Sequence, residues 1–99
     1  MIVRILRARV LPERAYRFRE KALQKLADVR KVEGLIDAQL VTQAGPADHE
    51  FVFITRWPSM EPLYAWAGDK DLLARPVYFS DIEDFLVAFD IQHYIDVET

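Results

Sequence analysis

Apolar residues recur with two periods along this chain, and each change of period marks an element. Ile2 to Val10 is rich in Ile and Val, has no breaker, and predicts a strand. Pro12 suits the first turn of a helix. Ala15, Phe18, Ala22, Leu26 and Val29 then recur at spacings of three and four, which makes one apolar helical face. Arg17, Glu20, Lys21, Gln24 and Lys25 cover the other face, Glu13 and Arg17 are spaced to pair, and Gly34 is a helix-stop position. Leu35 to Thr42 and Phe51 to Trp57 predict two strands, joined as a hairpin by the turn residues Ala44-Gly45-Pro46-Ala47-Asp48. Ser59 is placed to cap a second helix carrying Met60, Leu63, Tyr64, Trp66 and Ala67, and Gly68 ends it. Asp69 to Arg75 predicts a short helical turn, and Ser80 to Ala88 is ambiguous, with Ser80 placed to cap a short helix. Ile91 to Val97 alternates strictly and predicts the last strand.

The order strand, helix, strand, strand, helix, strand is the ferredoxin-like βαββαβ pattern. It is an α+β fold with both helices on one face of an antiparallel sheet. The other face is open, and a solvated face should be polar. Phe51-Val52-Phe53-Ile54, Ile2-Val3 and Ile5-Leu6 are instead apolar on both sides. The simplest cover for the second face is another copy of the chain, packed sheet to sheet as a homodimer.

Composition supports that picture. Ninety-nine residues make one domain (1–99), yet 52% are hydrophobic and 12% aromatic, more than a small lone core needs. The net charge of −3 argues against a nucleic-acid partner. The densest basic group, Arg4, Arg7 and Arg9, reads as the solvated ends of one strand before it reads as a polyanion site. The absence of cysteine excludes disulfides, iron–sulfur clusters and thiolate nucleophiles. No apolar stretch reaches the length of a signal core or a membrane span, so no membrane partner and a cytoplasmic location are expected.

Three stretches resemble the antibiotic-biosynthesis monooxygenase family, the dimeric α+β barrels. They are Met1 to Val10 with the helix that follows, Thr55-Arg56-Trp57-Pro58-Ser59-Met60-Glu61 running into Ala65-Trp66-Ala67-Gly68-Asp69, and Gln92-His93-Tyr94-Ile95-Asp96-Val97. Their joint order covers nearly the whole chain. The resemblance implies a homodimer with a cavity between the open sheet face and the helices of each protomer. In the oxygenase members of the family, a phenol or anthrone sits in that cavity and reacts with oxygen without metal, flavin or other cofactor. Such chemistry needs an apolar pocket, a base, and a polar group that holds the substrate anion. The alternative on the same scaffold is a non-catalytic dimeric domain that binds a small molecule.

Trp66 matches a cavity-lining Trp of several family members and reads either as core or as ligand wall, whereas Trp57 reads as structural. Leu6 and Tyr64 are the further substrate-binding candidates. His93 shares a strand face with Ile91, Ile95 and Val97 and is the best general-base candidate; the plainer reading is a hydrogen-bonded structural His. His49, beside the turn, reads as solvated. Tyr78, after Pro76, is a phenol able to hold a substrate oxygen. Arg4 shares a face with Leu6 and could hold an oxyanion, or else pair with Asp37 or Asp96. The haem-degrading branch of the family carries a first-strand Asn and an axial His beyond the Trp. Leu6 and Pro76 fall near those two positions here, which leaves haem without its axial ligand. No metal-ligand spacing, phosphate-cradling loop or nucleophile elbow is present, and Gly34, Gly45 and Gly68 only punctuate.

Overall fold

The computed structural model describes residues 1–45, 49–68 and 82–98. β1 (Ile2–Val10) leads through a 3-10 turn at Pro12–Arg14 into α1 (Ala15–Val29). β2 (Asp37–Thr42) and β3 (Glu50–Trp57) follow, then α2 (Met60–Ala67). A 3-10 turn at Glu83–Phe85 precedes β4 (Leu86–Ile95). The strands form an antiparallel sheet in the order β2-β3-β1-β4, which is the ferredoxin-like arrangement.

Period-two geometry sorts β1 into two faces. Ile2, Arg4, Leu6, Ala8 and Val10 are buried under the helices, while Arg7 and Arg9 are exposed on the opposite side. The three arginines therefore part company: Arg4 lies in the interior rather than at a solvated strand end. α1 buries Phe18, Ala22, Leu26 and Val29, the stripe its three-and-four spacing predicts. These residues join two separate apolar clusters. One holds Ile2, Leu26, Val29, Ala38, Trp57 and Leu63. The other holds Ala8, Val10, Phe18, Ala22, Phe51, Ile82 and Phe85.

Several boundaries differ from the sequence reading. β2 starts at Asp37 rather than Leu35, because the Leu35 N–H still bonds back to the Val32 carbonyl; the Ile36 N–H already reaches the Arg56 carbonyl on β3. The ambiguous stretch before the last strand resolves into the 3-10 turn and the first half of β4, so this strand begins five residues earlier than its alternation suggests. It also stops at Ile95, short of Val97. Pairing with the full length of β1 sets its extent, from Val10 against Leu86 to Ile2 against Ile95. Ser59 stands at the N-cap of α2 with extended backbone, but its hydroxyl makes no capping bond. Gly68 closes α2 with φ 79° and its N–H bonded to the Tyr64 carbonyl. The anticipated turn at Asp69 to Arg75 and the Ser80 cap lie outside the described residues.

Candidate functional site

One row of side chains crosses the buried sheet face with unexpected polarity. Register pairs Arg4 with Thr55 on β3 and with His93 on β4, so the three point toward the helices side by side. Arg4 is 3% exposed and Thr55 is 4% exposed. Burial alone pushes the Arg4 guanidinium down to about 10, which still leaves it charged at neutral pH. Arg4 Nη1 lies 3.1 Å from His93 Nε2. A guanidinium has no acceptor, so the imidazole must accept at Nε2 and carry its proton at Nδ1. That Nδ1 is buried and has no hydrogen-bond partner among the described residues. Desolvation first, and the Arg4 charge second, lower the His93 pKa below its ordinary value. His93 is therefore neutral at pH 7.

α2 supplies the flat wall. The Trp66 ring stacks on Trp57 with centroids 5.3 Å apart and an interplanar angle of 28°. Arg4 Cζ stands 5.7 Å from the Trp66 ring centroid, within cation–π range. Trp57 is fully buried, and its Nε1–H donates to Thr55 Oγ1 at 3.0 Å. These contacts hold the ring beside the guanidinium.

The polar row borders a cavity of about 70 Å³ between α1 and the sheet. Arg4, Leu6, Phe53, Thr55 and Trp66 line it on one side, and Lys25, Asp28 and Val29 of α1 on the other. It lies between the sheet and the helices that cover it. The volume is small, for a cavity that takes a single benzene ring measures roughly 150 Å³. A ring can enter only as the walls give way.

The other candidates fall as follows. Leu6 and Arg4 border the cavity, and His93 sits directly behind Arg4. Tyr64 does not border it: at 40% exposure it stands on the outer side of α2, because α2 turns Leu63 inward instead. Tyr78 and Pro76 lie outside the described residues. His49 is half-buried, and its carbonyl accepts from the Val10 N–H at 2.9 Å. Asp37 pairs with Arg56 at 3.0 Å, and Asp96 with the N-terminal amine at 2.7 Å. Among the described residues, no group of three or more His, Asp and Glu could hold a metal ion.

The family model for antibiotic biosynthesis monooxygenases matches residues 1–74, three-quarters of the chain. The chain belongs to that family. Within it, a candidate antibiotic biosynthesis monooxygenase from Deinococcus radiodurans has a TM-score of 0.82 at 14% identity, over 100% of this chain and 95% of that one. Another from Nitrosomonas europaea gives 0.80 at 15% identity, over 98% and 99%. A protein of Pseudomonas aeruginosa gives 0.74 at 20% identity, over 97% and 93%. At these identities the likeness is one of fold, and function has to be argued from the site. No curated protein gives a significant sequence match. The family match covers β1, α1, β2, β3 and α2, and so includes Arg4, Leu6, Thr55 and Trp66; His93 lies beyond it on β4.

Sequence reasoning missed Thr55, Phe53, Lys25 and Asp28 as cavity residues. A Thr inside an otherwise apolar strand was a signal for the first. The α1 pair carried none, since both occupy the polar side of that helix.

Proposed function

We propose that this chain is a cofactor-independent monooxygenase acting on a small aromatic substrate of the phenol or anthrone type. The observation that carries the reading is a charged guanidinium, Arg4, set beside a Trp wall in a cavity otherwise lined largely by apolar side chains. In such a low-dielectric site a fixed cation stabilises a developing oxyanion far more than it would in water. Trp66 and Leu6 face the ring, Arg4 holds its oxygen, and His93 is the base; Tyr78 remains a second candidate for the oxygen.

The chemistry balances without a further reductant. The substrate loses a proton and becomes an electron-rich anion. One electron passes to oxygen, the two radicals join in a C–O bond, and the resulting peroxide takes up a proton. Water then leaves with the hydrogen still on that carbon, and a carbonyl remains. One oxygen atom ends in the product and the other in water.

An oxygen electrode tests this with a panel of phenols and anthrones. The expected result is one oxygen consumed per substrate, with Arg4→Met lowering kcat/KM by roughly 10²–10³-fold at matched folding. Saturable binding without oxygen uptake across the panel would assign the cavity to a non-catalytic binding domain.

A further inference from the structure

Thr55 on β3 is a buried hydroxyl whose own hydrogen is not used by the fold. The residue is 4% exposed, and its Oγ1 accepts the Trp57 Nε1–H at 3.0 Å. A hydroxyl also carries one hydrogen, which turns about the Cβ–Oγ1 bond to find an acceptor. Among the described residues no acceptor takes it. A buried donor without a partner is costly, and buried hydroxyls nearly always have one. Donation by Trp57 into the same oxygen polarises the O–H bond and makes it a stronger donor. Thr55 also borders the cavity, where an acceptor from outside the chain can sit.

We infer that Thr55 is a substrate-positioning residue: its hydroxyl donates to a carbonyl oxygen on the ring bound in the cavity. This deepens the reading of the cavity as a phenol site and rests on it. Position separates this oxygen from the one assigned to Arg4. Arg4 stands on β1, and its Nη1 leans toward His93 on β4; Thr55 lies on β3, on the other side of β1. Neighbouring strands are about 4.8 Å apart, so the two donors reach different points of one ring. Chemistry separates them too. A guanidinium matches an oxyanion, whereas a neutral hydroxyl adds no charge and matches a neutral lone pair. A second ligand hydroxyl would bring a hydrogen that needs its own acceptor; a carbonyl brings none. Leu6, Phe53 and Trp66 surround the site with apolar surface. A ligand with a methylene in place of the carbonyl would leave the Thr55 donor desolvated and unpaired. The site thus selects a ring that carries both a hydroxyl and a carbonyl.

Matched ligands isolate that bond. 3- and 4-Hydroxyacetophenone carry the carbonyl, and 3- and 4-ethylphenol put a methylene in its place. Calorimetry with the intact protein and its variants gives the affinities. Thr55→Val removes the hydroxyl but also strips Trp57 of its acceptor. Trp57→Phe/Thr55→Val removes that donor and acceptor together, so its comparison with Trp57→Phe separates the hydroxyl from its service to Trp57. Across that comparison one acetophenone isomer is expected to lose roughly tenfold in affinity, with its ethylphenol counterpart unchanged. Thr55→Ser, which keeps the hydroxyl, should retain the wild-type affinity. The infrared C=O band of the bound ketone should lie lower in wild type and Thr55→Ser than in the double variant, a shift that a purely structural Thr55 would not produce. Equal losses for ketone and ethylphenol, or an unmoved carbonyl band, would overturn the donor role, while ethylphenol binding would leave the phenol reading standing. Failure of every phenol to bind would remove that reading and this assignment together.

Discussion

Arg4 and Trp66 show how one side chain can serve packing and a site together. The sequence poses Trp66 as either core or wall, but the ring both stacks on the fully buried Trp57 and borders the cavity. Trp66→Phe should therefore keep most of the stacking area and leave the folding free energy within about 1.5 kcal/mol of wild type, while altering ligand affinity. Trp66→Ala should cost ~3–5 kcal/mol in denaturant titration. An unchanged affinity in the Phe variant would remove the ring from the site. His93 supplies the pH dependence. Its folded pKa lies below the unfolded value of about 6.5, so the unfolded chain binds more protons in that window. Stability should be full above pH 6.5 and should fall as the pH drops toward the folded pKa. His93→Gln should flatten this part of a melting-temperature profile; a profile identical to wild type would mean that the imidazole is not shielded as its contacts indicate.

At the level of elements, α1 was legible because burial repeats with the helical period. Phe18 shows what that burial is worth. It is fully buried and meets Phe51 and Phe85 with ring centroids at 5.1 and 6.2 Å. Phe18→Ala should cost ~3–5 kcal/mol. Gly34, read from the sequence as a helix stop, does more than stop a helix. Its φ is 93°, and an added Cβ would come within 2.7 Å of Pro62 Cβ on α2. Gly34→Ala combines left-handed strain with overpacking and should lower stability by about 2 kcal/mol or more. Pro62→Ala leaves a Cβ in place, so it should not rescue that loss; recovery in the double variant would show that the strain lies elsewhere. β4 was only half legible, because strict alternation is confined to its second half. Its first half, Leu86 to Asp90, is a strand because β1 offers an unpaired edge along its whole length.

For the whole molecule, the open sheet face is the largest consequence. Register brings Val3 and Ile5 of β1, Val41 of β2 and Val52 and Ile54 of β3 to its centre, with the half-exposed Tyr94 beside them. Arg7, Arg9, Glu50 and Asp90 gather at one end. Such an apolar centre with a charged end suits a second copy, and an obligate interface of this kind buries on the order of 2,000 Å² or more. Sedimentation at micromolar concentration should give a dimer, and Ile54→Lys should give a folded monomer. A monomeric wild type would defeat the sheet-to-sheet pairing. By itself, the sequence determined the elements, the ferredoxin-like order and the two-sided apolarity of β3, because these follow from local period and composition. It also brought Arg4, Leu6, Trp66 and His93 forward as candidates. Only the tertiary structure decided that Thr55, Phe53, Lys25 and Asp28 line the cavity, that Tyr64 turns outward, and that Arg4 meets His93. Those two residues stand 89 positions apart in the chain. No local pattern encodes their meeting: it depends on β4 pairing with β1 in one register, and a slip of one residue would set His93 on the opposite face.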